Sequence, residues 1–479
     1  MLWRMGRPGP APLGRLGDRR WLLGLALIML LGAAVRFTYI HVHTQELGVG
    51  DPFYYHEGAN LLADGKGFVD PFQYVYEGRT LPGAYHPPGY VVALALTSVF
   101  GFTSELAHQH WSALISLTAI PLIALLGRRL AGPRAGLIAA FLAATYPNLW
   151  FSDALLMSET LLFPTVAATL LLAYWYWDRP SFGRAAALGV SCGVTALVRS
   201  EAVLLVPLLV LPMVAFTRSW SLRRRAGVFL AAGTAAAAVL APWAVYNLLR
   251  FEEPVLLGVS DHTLIAGNCP DRYEGDLIGY WTVSCIIELN CPDPAERRDL
   301  SACLLEVRGA DASVHEKAYR REALRHIWKN VDRLPLVVLA REGRAFGFFR
   351  PGQQLDLDRF ATKELGLSRL ALGMFYVMAA SGVAGGVFLR RRRIPLTPLL
   401  APFAAVAVTV AVTFGETRYR ALAEVSLIVL AAVGFEALIR SGLRRRTSGE
   451  GRHAGQPDVT RLEQPVTAGA RSSVGHSSP

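Results

Sequence analysis

The chain is built of long uninterrupted apolar blocks separated by short arginine-rich breaks, beginning with WLLGLALIMLLGAAVRFTYI at residues 21–40. A helix of about 20 apolar residues spans the hydrocarbon core of a bilayer, where every backbone amide must be paired within the protein. The pattern therefore predicts an all-α polytopic membrane protein with about ten transmembrane helices. Candidate spans are 21–40, 106–127, 134–150, 158–177, 184–198, 201–217, 226–247, 368–389, 395–414 and 420–439. No small-residue cleavage site closes the first of them, so it reads as a retained anchor and not as a removable leader. Hydrophobic residues make up 52% of the 479 and charged residues only 18%, as such a chain requires.

The net charge of +11 does not point to nucleic acid. Among the 48 basic residues only Lys66, Lys317, Lys329 and Lys363 are lysines, and the arginines cluster between apolar blocks. With ten spans and the N-terminus in the cytoplasm, all these clusters, from residues 4–20 to Arg390–Arg393 and residues 440–446, fall on the cytoplasmic side, as topogenic charge does. The arginine and alanine excess also suggests a GC-rich bacterial genome. The leftover piece PPGYVVALALTSVFG, residues 87–101, is 15 residues long and too short to cross untilted. It reads as an interfacial or re-entrant helix on the outer side, with Pro87 and Pro88 at its start.

This arrangement gives a basic N-terminus at 1–20, a transmembrane module at 21–247 with a first outer loop at 41–105, and an outer loop at 248–367. Transmembrane helices at 368–440 and a polar, disordered tail at 441–479 follow. Cys269, Cys285, Cys291 and Cys303 all fall in the long outer loop, so two disulfides in an oxidising compartment are expected, in any of three pairings. Spacings of 15, 5 and 11 intervening residues contain no C-x-x-C pair, which disfavours zinc.

Chemistry should lie on the outer face. Asp51, in GVGDPFYYHEGANLLADG, is followed by Pro52 and reads first as a helix cap, a role that does not exclude catalysis. Tyr85 and His86 precede the Pro-Pro step, and His86 could bind phosphate or help hold a metal. Asp153, Ser158 and Glu159 stand where one span leaves the membrane and the next re-enters; helix capping and a site role are equally open for Ser158 and Glu159. Arg199 and Glu201 share a junction with almost no loop, where charges must be paired or line a cavity. Arg418, Tyr419 and Arg420 open the last span from outside. Outward arginines run against the positive-inside bias and call for an anion, either a lipid headgroup or a bound phosphate. Asp261 and His262 read as a loop turn, or else as acceptor or metal contacts. No Walker loop, glycine fingerprint, G-x-S-x-G elbow or H-E-x-x-H pair is present.

An acid in the first outer loop, the step AYHPPGY, the span pair GRRLAGPRAGLIAAFLAATYP, then SETLLF, RSEA, a GN in the long loop and a late RYR occur in this order. That order resembles the bacterial branch of the GT-C glycosyltransferases, family 39, relatives of protein O-mannosyltransferases and of the lipid A aminoarabinose transferase. The resemblance covers most of residues 20–440. It implies a multi-pass GT-C enzyme of the bacterial plasma membrane with an extracytoplasmic site. Such an enzyme passes a sugar from a polyprenyl-phosphate donor, with inversion, to a hydroxyl of an acceptor that the sequence does not identify. Carried over residue by residue, Asp51 becomes the general base, and Asp153 or Glu159 the second acid of the site. Arg418 and Arg420, with Tyr419 between them, become the lipid-phosphate binders. Where the aminoarabinose transferase has an acid and a lysine before its Pro-Pro, this chain has Tyr85 and His86. A divalent ion is a candidate cofactor, and no nucleic-acid partner is expected. The rival reading is a transporter or flippase of lipid-linked glycans, against which stand the lack of an internal repeat and of mid-span charges. A scaffold binding a partner through its disulfide loop is a third.

Overall fold

The computed structural model describes residues 19–42, 50–217, 220–259, 261–291, 293, 312–358 and 364–453. The described residues divide into two units, one up to residue 436 and one from residue 437. Among the described residues there is no β-strand, only one bridge between Val69 and Pro82.

Among the described residues six helices are long and apolar enough to cross a bilayer: Arg19–Val42 (α1), Glu105–Ala131, Glu159–Asp178, Leu222–Leu248, Leu365–Arg391 and Thr417–Ser441. The second bends where α5 (Glu105–Leu117) gives way to α6 (Ala119–Ala131). The other four expected spans are also helical but shorter: Pro133–Thr145, Phe182–Val198, Ser200–Ala215 and Thr397–Val412. Proline explains two of the shortfalls. Pro147 ends the helix that begins at Pro133. Pro207 and Pro212 leave residues 200–215 as a 3₁₀ turn, a π turn and a single α turn, because each ring removes a donor and crowds the preceding turn. Arg199 and Glu201 stand at the start of this irregular stretch.

The first outer loop folds into three short helices, α2 (Asp51–Ala63), α3 (Pro71–Glu77) and α4 (Gly89–Ser98). Ten residues of α4 reach only about 15 Å, which accords with a helix that does not span. Tyr54, Tyr55 and Ala59 of α2 meet Tyr90, Val91, Leu94 and Ala95 of α4 in a closed apolar cluster. Burial of each large side chain there stabilises the pair by about 1.5–3 kcal/mol. Gly89 lets α4 approach the end of the later helix Phe182–Val198, since a Cβ there would stand 2.6 Å from the Leu197 carbonyl oxygen. Arg250 pins the loop from below. It donates to the Phe68 and Gly83 carbonyls and stacks against Trp243, Tyr246 and Phe251.

The long outer loop is helical where described. Asp261–Gly267 and Ser284–Asn290 flank a turn-rich segment, and the amphipathic stretch 314–349 forms Ala312–Lys329 and Leu334–Ala345. Cys269 and Cys285 are disulfide-bonded and Cys291 is also in a disulfide. Cys303 lies outside the described residues. The expectation of a disordered tail from 441 needs correction in part, because the last helix continues from Ala421 to His453; residues 454–479 lie outside the described residues.

Candidate active site

Asp51 does not cap its helix. Gly50 occupies the cap position at φ 132°, a conformation that favours glycine, and Asp51 is the first helical residue with its carboxylate turned to other partners. Its Oδ1 accepts from His86 Nε2 at 3.0 Å, and its Oδ2 lies 2.7 Å from Arg418 Nη1. Arg418 Nε donates to Glu159 Oε1 at 2.6 Å, the same oxygen that takes Arg199 Nη1 at 2.7 Å. Arg199 Nε then reaches Glu201 Oε1 at 2.5 Å. The result is a continuous chain of bonded polar groups, His86, Asp51, Arg418, Glu159, Arg199, Glu201, drawn from five separate segments.

These side chains form the floor of a cavity of ≈ 1460 Å³. Asp51, Tyr55, Tyr85, His86, Arg199, Glu201, Arg418 and Tyr419 line it directly, whereas Glu159 lies behind, its side chain only 4% exposed. Glu159 therefore acts as a buried post that fixes two guanidinium groups at the cavity wall. Its own Oε2 has no hydrogen-bond partner, so the second oxygen adds no competing claim on either arginine. Burial alone would raise the pKa of Asp51, but the neighbouring His86 and Arg418 charges outweigh it and hold the carboxyl well below its usual range. Asp51 is thus a carboxylate at neutral pH, with both oxygens engaged.

Two expected site residues lie elsewhere. Asp153 is fully buried and pairs with Arg36 at 3.2 Å while accepting from Ser116 at 2.6 Å and Thr160 at 3.0 Å. It ties four segments of the bundle together and does not line the cavity. Arg420 turns the other way from Arg418, donating to Glu424 at 2.7 Å and lying against Phe375. The two arginines are two residues apart in the 3₁₀ turn Thr417–Arg420, where such positions face different directions. The structure thus links Glu159 and Arg418, but not Asp153 and Arg420, to Asp51 and His86.

Tyr55 escaped the sequence reading. Its ring stacks on His86 with centroids 4.9 Å apart, fixing the imidazole against Asp51. The aromatic run FYY was visible, but its partner was not. Asp261 and His262 also line the cavity, the His262 ring 6.1 Å from that of Tyr85, and both receive support from Glu316 through backbone amides. Among the described residues no group of three or more His, Cys, Asp or Glu side chains is placed to hold a metal ion. His86 is engaged with Asp51, and His262 with Glu316 and Thr263.

Comparison with known proteins gives three findings. Residues 85–246 match the family model of the dolichyl-phosphate-mannose-protein mannosyltransferases. Among curated proteins, none matches the chain by sequence. Among solved structures, the oligosaccharyltransferase of Archaeoglobus fulgidus in its apo form superimposes with a TM-score of 0.52 at 16% identity, covering 93% of this chain and 53% of that one. The same enzyme in complex with zinc and sulfate gives 0.51 at 16% identity, over 90% and 51%. ArnT from Cupriavidus metallidurans bound to undecaprenyl phosphate gives 0.42 at 15% identity, over 88% and 78%. The chain spans about half the length of the oligosaccharyltransferase it matches. It has the GT-C fold, as the resemblance in its sequence implied.

Proposed function

We propose that this chain is a membrane glycosyltransferase that moves a sugar from a polyprenyl-phosphate carrier to an acceptor hydroxyl at the cavity floored by Asp51 and Arg418. The observation that carries this reading is the shared guanidinium. Arg418 stands between a cavity-facing carboxylate, Asp51, and a buried one, Glu159. The match of residues 85–246 to a family described by its dolichyl-phosphate-mannose donor supports the same donor class.

The chemistry follows from that geometry. With both oxygens held by His86 and Arg418, Asp51 is a weak base. A donor phosphate beside Arg418 and Arg199 competes for the guanidinium, and Asp51 keeps only His86. Its affinity for a proton rises as the donor binds. The acceptor oxygen then attacks the anomeric carbon, its proton passes to Asp51, and the C1–O bond breaks with its electron pair leaving on the polyprenyl phosphate. Arg418 and Arg199 meet the charge that develops on that phosphate. One displacement of this kind inverts the anomeric centre. No step in this scheme needs a metal ion.

The membrane side of the cavity and the bacterial setting belong to the same proposal. The arginine-rich ends Arg128/Arg129 and Arg390–Arg393 would face the cytoplasm, and the cavity the opposite side. In proteoliposomes supplied with radiolabelled polyprenyl-phosphate sugars and a hydroxyl acceptor pool, the protein should release free polyprenyl phosphate in step with labelled product. Flipping of the intact donor across the bilayer with no bond cleavage would instead establish the transporter reading.

A further inference from the structure

One wall of the cavity is made by the segment that the Cys269–Cys285 disulfide closes, a sequence separation of 16. Tyr280, Trp281 and Val283 of this segment line the same cavity as Asp51 and Arg418. Trp281 is 38% exposed and lines the cavity together with Val408, Val412 and Leu264. The segment is held from behind. Buried Arg341 donates to the Gly267 carbonyl and the Asn268 side chain, buried Arg344 to the Asp276 and Ile278 carbonyls, and the Gly415 amide to the Gly279 carbonyl at 2.8 Å. Arg344 and the disulfide thus fix the backbone that carries the Trp281 indole, and Arg341 holds the two residues just before that segment.

An aromatic strip joins this wall to the charged floor. Trp281 lies 6.5 Å from Phe414, Phe414 meets Tyr419 edge-on at 5.0 Å, and Arg199 sits over Tyr419 at 5.8 Å, all measured to ring centroids. All four line the cavity. A guanidinium pair at one end and an apolar aromatic path leading away from it match one ligand chemistry, an anionic head on a long apolar chain.

We infer that the disulfide-closed segment is the subsite for the isoprenoid chain of the carrier, with Trp281 as its main contact, so that this loop sets chain-length preference. The inference rests on the proposed transfer reaction for its substrate class, but not for its test. Methylene and alkene surface laid on an indole leaves water, and the gain scales with the area covered. A short chain ends before it reaches Trp281; a long one lies across it.

The experiment compares wild type, Trp281→Ala, Trp281→Phe and the double variant Cys269→Ser/Cys285→Ser. Each is assayed as purified full-length protein, for transfer from citronellyl- and undecaprenyl-phosphate sugars and for binding of sugar-free undecaprenyl phosphate. Trp281→Ala should raise the KM of the long donor and the Kd of undecaprenyl phosphate about tenfold. It should leave the short donor's KM and the acceptor's KM unchanged. Trp281→Phe should recover most of the loss, and the double serine variant should move in the same direction as Trp281→Ala. Equal loss for both donors would mean that Trp281 stacks on the sugar, and an unchanged chain-length preference would mean that it contacts no ligand; either overturns the inference. If wild type transfers from neither donor, the transfer reading fails, and the effect of Trp281→Ala on undecaprenyl phosphate binding still decides the subsite.

Discussion

Replacing Arg418 by glutamine tests the shared guanidinium from both sides. The substitution keeps hydrogen-bonding capacity and removes the charge that Asp51 and Glu159 share. Removing one partner of a fully buried ion pair costs about 3–5 kcal/mol. Here Glu159 keeps Arg199, and Asp51 keeps His86 with its carboxylate 30% exposed. The loss of stability should therefore fall below that range, at about 1–3 kcal/mol. Activity should suffer more, since the guanidinium meets charge at both the base and the leaving phosphate. Loss of one such electrostatic contact lowers turnover by about 10²–10³-fold. Arg418→Lys should recover part of it, because an ammonium carries the charge without the planar fork that reaches two carboxylates. A pH series adds an independent readout. Asp51, with its pKa depressed in the folded protein, contributes stability that is present above about pH 4, its unfolded value, and is lost as pH falls through the folded one. Thermal melts of wild type should thus drop on acidification below about pH 4, and those of Arg418→Gln should drop less steeply. The reasoning is refuted if Arg418→Gln loses the expected stability yet keeps kcat/KM within about threefold of wild type, for the guanidinium would then be structural only.

Other expectations follow from the surroundings of the site. Gly89→Ala should force α4 away from the Leu197 carbonyl, lowering stability by about 1–3 kcal/mol and raising the donor KM through displacement of His86, both visible in melts and initial rates. His56 bonds His108 Nδ1 to Nδ1 at 2.9 Å, and burial depresses the His56 pKa, so this pair contributes stability above about pH 6.5 that is lost on acidification. His56→Gln should flatten the decline in Tm between neutral and mildly acidic pH, and an unaltered decline would place the sensitivity elsewhere. Asp153→Asn should lower Tm, by leaving buried Arg36 without its counter-charge, yet leave the donor KM near wild type in protein that remains folded.

Hydrophobic length is a local property, which is why the apolar segments and the short helix after Pro88 could be read directly from the residues. The contents of the site depended on direction, which is not local. Arg418 and Arg420 look equivalent in RYR, and only the 3₁₀ turn they share sends one to the cavity and the other to Glu424. Asp153 and Glu159 sit six residues apart in one reentrant turn, and which of them meets the arginines is decided by Arg36, a buried charge near the outer end of the first span. A buried charge in a membrane helix must have a partner, so Arg36 was the available signal for placing Asp153. Nothing local marked Arg250, whose targets are carbonyls 182 and 167 residues away in sequence. Trp281 was likewise invisible as a wall residue, because its exposure follows from the Cys269–Cys285 pairing, one of three that the spacing allowed.

The central claim is that Asp51 takes the acceptor proton at this cavity. Asp51→Asn is nearly isosteric and can retain a hydrogen bond to His86. The direct measurement is sugar transfer from labelled polyprenyl-phosphate donors by the purified variant, with melting temperature and undecaprenyl phosphate binding measured on the same sample. Loss of a positioned base should lower kcat by about 10²–10⁴-fold in protein that still folds and still binds the lipid phosphate. Turnover at the wild-type rate by such a folded, lipid-binding variant would contradict the claim.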